Sequence, residues 1–167
     1  MEINTKTNIK RAILIILLIL TFFQIFRFSN QNGEKSSGIS RKITTAVTKN
    51  VKKTQELDKN KQEEVLGKIE KVIRKLAHFS IYMVVGILMM LLMSTYKIKQ
   101  LDRIAISLIT GILYAGSDEI HQLFIPGRSA MITDVMIDTL GVFVGITLVG
   151  AFWDRGKKHH YLIDDEF

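Results

Sequence analysis

The sequence predicts an all-α fold: an integral membrane bundle of four transmembrane helices, with a polar, partly helical segment between spans one and two. Three observations predict it. The apolar residues, 47% of the chain, gather into four blocks, and the charge lies almost wholly between them. Blocks two and four have the roughly 20 residues that a bilayer core about 30 Å thick requires. Between blocks three and four lies SDEIHQLFIPGRSAMITDVMID (Ser117–Asp138), with four carboxylates, a histidine, an arginine and the only proline.

At 167 residues the chain reads as one domain, 1–167. The spans are expected at about 11–28, 76–96, 104–125 and 131–153, and the polar amphipathic segment at 30–75. Met1–Arg11 is a short polar lead. The first block, AILIILLILTFFQIFRF (Ala12–Phe28), follows a basic start as a signal peptide would. Bulky Phe22, Phe23, Gln24, Ile25 and Phe26 stand where cleavage needs small residues, so it reads as an uncleaved membrane helix.

The segment 30–75 opens with NQNGEKSSGIS, rich in turn formers. From Ile43 onward, sparse apolar residues recur at helical spacing, most clearly Leu66, Ile69, Ile73 and Leu76. One or two amphipathic helices on the membrane surface, running into span two, are expected there. This Lys-rich segment is the source of much of the net charge of +7. Anionic lipid or polymer accounts for that charge, and no nucleic acid is implied.

Block two, Leu76–Tyr96, is entered through RKLAHFSIY and left through the basic turn KIKQLDR. The apolar start of block three, Ile104–Gly116, has only 13 residues, about 20 Å of helix. If it spans, DEIHQLFI lies at membrane depth, where ionisable groups face a bundle interior or a wet cavity. Pro126-Gly127 fits the centre of a type II turn. Block four, Met131–Trp153, ends in a tryptophan suited to the interface. His159-His160 in the short charged tail is too isolated to suggest a metal site.

Four spans bring the end of the first, the start of the second, the end of the third and the start of the fourth to one membrane face. Those places hold Arg27 with Ser29, Asn30 and Gln31; Arg74, Lys75 and His78; Asp118, Glu119, His121 and Gln122; and Arg128, Asp134 and Asp138. Helical phase groups them further. Gly111, Tyr114, Asp118 and His121 or Gln122 form one stripe; Asp134, Asp138, Gly141 and Gly145 a second; Arg74, His78, Tyr82 and Gly86 a third. Glycines admit close helix approach, so the stripes should face neighbouring helices.

Each group also has a structural reading. Arg128 could pair with Asp134, Asp138 could bridge helices, and His78 could be an interface anchor. Jointly, so many ionisable groups at membrane depth favour a functional pocket. Asp118, Glu119 and His78 are the candidate acid/base residues. Arg74, Lys75 and Arg128 suit an anionic head group, with Gln122, His121, Asp134 and Asp138 completing the substrate-binding set. His78, Asp118, Glu119 and His121 could ligate an ion, but no compact signature such as HExxH is present. No metal and no cofactor is assigned. Serine catalysis has no GxSxG, and the absence of cysteine removes thiolate chemistry.

At RKLAHFSIY, at YAGSDEIHQLFIPGRSAMITDVMIDTLGVFVG and at FRFSNQNGEKSS the chain resembles the VanZ-like membrane proteins, over about Phe26–Gly145. The resemblance implies a bacterial multi-pass protein of the cell envelope, of a kind named for low-level resistance to the glycopeptide teicoplanin. It points to Lys75, His78, Asp118, Glu119, Gln122, Arg128 and Asp134, and departs at Asp138, where members often carry Asn. The expected partners are membrane lipid and a lipid-linked or anionic envelope substrate. Two alternatives stand beside an enzyme: a non-catalytic binder or assembly partner that alters antibiotic access, and a proton-linked carrier. Oligomeric state is left open.

The three short segments facing the side opposite the polar cluster carry nine Lys or Arg, against one in the short loop at the cluster. The bias predicts cytoplasmic N- and C-termini and an outward-facing pocket. The 30–75 segment, with twelve, argues the other way.

Overall fold

The computed structural model describes residues 2–31, 38, 44 and 58–164, with side chains from Thr5 to Phe152 inside those ranges except Lys59. Most of the surface-helix region expected from Ile43 onward, the turn at 32–37, and the side chains of Trp153 and the tail lie outside the described residues. Among the described residues the fold is all-helical: α1 (Glu2–Ser29), α2 (Lys59–Met93), α3 (Gln100–Gln122) and α4 (Ile132–Asp164).

Three of these are long and apolar enough to cross a membrane, over Thr5–Ser29, Asn60–Met93 and Ile132–Phe152. At 23 residues α3 measures about 34 Å, yet it falls outside that group. Asp102 and Arg103 at one end and Asp118 and Glu119 at the other dilute its apolar stretch. The expected surface helix and span two are one continuous helix in the described part. Leu66, Ile69 and Ile73 are half-buried along it, whereas Leu76 is exposed.

The exposed surface is that of a molecule meant for an apolar solvent. On α1, Leu14, Leu18, Ile25 and Ser29 are buried on one stripe, while Ile13, Ile15, Ile16, Leu17, Ile19, Leu20 and Phe23 are exposed. On α3, Ile106, Ile109, Ile112, Leu113 and Ile120 are exposed, and the buried stripe is Ser107, Gly111, Ala115, Asp118, Glu119 and Gln122. Water would leave so large an apolar surface unstable; lipid accepts it.

The second helix is central and packs against all three others, most extensively against α4. That seam is built by glycine. A Cβ at Gly86 would strike the Val142 backbone; one at Gly141, the Phe79 carbonyl; one at Gly145, the Met83 carbonyl and Ile87 N. With no side chain in the way, the two backbones touch, which is how helices associate where lipid removes the hydrophobic drive between them.

The helix ends are satisfied locally. After α2, the Ser94 and Thr95 hydroxyls donate to the Leu91 and Leu92 carbonyls at 2.6 and 2.7 Å, occupying acceptors that a helix C-terminus leaves open. Arg11 donates to Thr95 at 3.0 and 2.7 Å and lies over the Tyr96 ring, tying α1 to α2 at this basic end. After α3, the Arg128 N–H donates to the Ile125 carbonyl at 3.1 Å. Gly127 has φ 74°, the value that a type II turn requires after proline. The expected turn is present.

Candidate functional site

The polar residues of all four helices meet at the level where α1 and α3 finish and α4 begins, which α2, starting at Lys59, reaches near its middle at Arg74–His78. The α3–α4 turn is the hub. Its Arg128 donates to the Gln31 carbonyl (3.0 Å), the Phe28 carbonyl (2.9 Å) and Gln122 Oε1 (3.2 Å). One guanidinium thus fastens the end of α1 to the end of α3. Burial, and after it the charge of Arg74, push the Arg128 guanidinium down from its ordinary value. Gln122 passes the linkage inward, with Nε2 donating to Asp118 Oδ2 at 3.1 Å and to Ser29 Oγ at 3.4 Å.

On the other flank Lys75 Nζ donates to Asp134 Oδ1 at 2.7 Å. The pair joins α2 to the first turn of α4, where a carboxylate also faces the positive end of the helix dipole. Glu119 has a comparable duty. Its Oε1 accepts from the Met131 N–H at 2.7 Å, so the carboxylate holds the entry to α4.

His78 Nδ1 lies 3.6 Å from Asp138 Oδ2, across the α2–α4 seam. Asp138 is 2% exposed and Asp118 5%. Asp138 Oδ1 and the Tyr82 hydroxyl are buried and have no hydrogen-bond partner among the described residues. A cavity of about 80 Å³ opens at Asp138, lined in part by Arg74, Lys75, His78, Arg128 and Asp134 as well. Arg74 makes no ion pair or hydrogen bond among the described residues.

The expected set therefore divides. Arg74, Lys75, His78, Gln122, Arg128, Asp134 and Asp138 line the cavity, and Asp118 lies behind Gln122 and against His78 and Asp138. Glu119 is engaged at the α4 entry. His121 is turned toward α1, where its ring stacks on Phe26 with centroids 4.9 Å apart. The Arg128–Asp134 pair considered from sequence is replaced by Lys75–Asp134, since both Arg128 amino groups are taken up by Phe28 and Gln122.

Sequence reasoning missed the main-chain partners. The Phe28 and Gln31 carbonyls receive Arg128, and the Phe22 carbonyl receives the Tyr114 hydroxyl at 2.7 Å. No pattern of residue types signals a carbonyl acceptor. Tyr82 was legible as part of the Arg74–His78 stripe, but its full burial was not.

Comparison with curated proteins and with solved structures finds no match. A family profile described as VanZ/LLP1 matches residues 13–153, a stretch that includes α2 and α3 whole, most of α1 and α4, and every residue of the cluster. With the motifs at Arg74–Tyr82 and Tyr114–Gly145 meeting at one cavity inside that match, the chain belongs to the VanZ/LLP1 family.

Proposed function

We propose that this chain is a four-span protein of the bacterial cell membrane whose cavity takes the anionic group of a lipid-linked envelope substrate. Through that substrate it alters the access of glycopeptides such as teicoplanin. The observation that carries the reading is Arg74. It is a cation on the cavity wall that makes no ion pair among the described residues, and it stands close enough to Arg128 to disfavour that residue's charge. Two guanidiniums facing one small cavity fit an anion from outside the chain.

In this reading α3 also crosses the membrane, as span three, which makes four spans in all. Its exposed side is apolar and its buried side carries the ionisable groups, as expected of a helix kept in lipid by its neighbours. The short-loop basic bias sets the termini in the cytoplasm and the cavity outward. Asp118 and His78 are the acid/base pair of a catalytic version. In a binder or assembly partner they serve only to shape the cavity.

Growth in teicoplanin of a susceptible bacterial host expressing the protein tests this. Arg74→Gln should abolish any protection at unchanged membrane abundance. Asp118→Asn should also abolish it if the site transfers protons, and should leave it intact or improved if the site only binds. Full protection by Arg74→Gln and Arg128→Gln, both well expressed, would rule out the anion site.

A further inference from the structure

Three side chains from three helices meet at the inner edge of the cavity. One ring nitrogen of His78 (α2), one carboxylate oxygen of Asp118 (α3) and one of Asp138 (α4) all lie within 4.8 Å of one another. The His78–Asp138 separation of 3.6 Å is close to the ~3.4 Å between two donors on a tetrahedral ion with bonds of about 2.1 Å. The remaining separations, at most 4.8 Å, need to close by up to about 1.4 Å.

Clustered acidic groups alone do not make a site; here two buried atoms also lack partners among the described residues. Asp138 is 2% exposed, and its Oδ1 accepts no hydrogen bond from the described residues. Tyr82 is fully buried, its hydroxyl has no partner among the described residues, and it lies within electrostatic reach of Asp118 and Asp138. Buried polar atoms nearly always have a partner, protein or otherwise.

Of the three cations on the cavity wall, two are already engaged, and Arg74 makes no ion pair with Asp118 or Asp138 among the described residues. Lys75 is held by Asp134, and Arg128 by Gln122 and two carbonyls. Among the described residues the two buried carboxylates thus have no ion pair with a Lys or Arg, and His78 is the one basic side chain set against them. Gln122 fixes Asp118 through Oδ2 and is itself fixed by Arg128, the kind of outer support that ligating carboxylates receive.

We propose that His78, Asp118 and Asp138 hold one divalent metal ion, Zn²⁺ or Mn²⁺, with the Tyr82 hydroxyl completing the set directly or through a bound water. One imidazole with two carboxylates suits these ions; Ca²⁺ takes six to eight oxygens. The cavity supplies the open side. The site stands on this geometry whether or not the cavity also takes an anion.

The test uses the full chain, purified in detergent and stripped with EDTA. Mn²⁺ is titrated by loss of the free-ion electron paramagnetic resonance signal, and Zn²⁺ by mass spectrometry after desalting. One ion per chain should bind, with a rise in thermal midpoint. Asp118→Asn, Asp138→Asn and His78→Gln should each weaken binding at least about tenfold. Asp102→Asn, exposed at the opposite end of α3, should bind as the wild type does. If the cluster variants fail to fold, the wild-type titration decides alone. A folded wild-type chain that takes up neither ion overturns the proposal, and so does undiminished binding by folded Asp118→Asn and His78→Gln.

Discussion

Replacing Gly145 by alanine adds one methyl group to the α2–α4 seam and nothing else. That methyl would be driven into the Met83 carbonyl and would stand 2.8 Å from Ile87 N. Both obstacles are α2 backbone, and neither can rotate away. The helices must part by about 1 Å, and overpacking of this kind costs about 1–3 kcal/mol, occasionally more. The upper end applies because Gly86 and Gly141 depend on the same approach. Parting the seam also stretches His78–Asp138 and Lys75–Asp134, which cross it.

Gly116→Ala is the matched control, since a Cβ there meets nothing within 4 Å. Gly111→Ala is intermediate, because its contacts at 2.6 and 2.7 Å are the Val142 side-chain methyls, which can give. Thermal unfolding in detergent should therefore rank Gly145→Ala lowest, Gly111→Ala next, and Gly116→Ala level with the wild type. Gly145→Leu should fail to accumulate in the membrane. Equal midpoints for Gly145→Ala and Gly116→Ala would refute the backbone-contact account of the seam.

Two further outcomes are expected. Lys75→Gln and Asp134→Asn should each destabilise by about 1–2 kcal/mol, below the cost of breaking a fully buried pair because both partners keep partial exposure; a double-mutant cycle with no coupling would show that the pair contributes nothing. Cysteines placed in the 97–103 turn should escape an impermeant thiol reagent in intact cells and react after lysis; labelling in intact cells would invert the membrane orientation.

How much of this was legible beforehand depended on what each feature rests on. Membrane character, helix number and the helical stripes follow from the spacing of apolar and charged residues, because lipid forces every span to satisfy its own backbone and hide its charges. Convergence of the polar residues on one end follows from counting antiparallel spans. The turn at Pro126-Gly127 follows from the φ that each residue favours. In all of these the determining interaction is local or is with solvent, and so it is written along the chain.

Partnership is different. From sequence, Arg128 and Asp134 were natural partners, six residues apart with opposite charge. The fold instead gives Asp134 to Lys75, 59 residues away, because α2 is pressed against α4 by glycines at 86, 141 and 145. Glu119 and Asp118 are adjacent and alike in the sequence, yet one holds the α4 backbone and the other joins His78 and Asp138. Adjacent helical residues point about 100° apart, and only the neighbours' positions decide which direction meets a backbone N–H and which a histidine. The sequence by itself determined that a membrane bundle would gather these charges at one end. Tertiary packing alone decided which of them neutralise one another and which remain open, since that depends on distances of 3–4 Å between helices that no spacing along a single helix encodes.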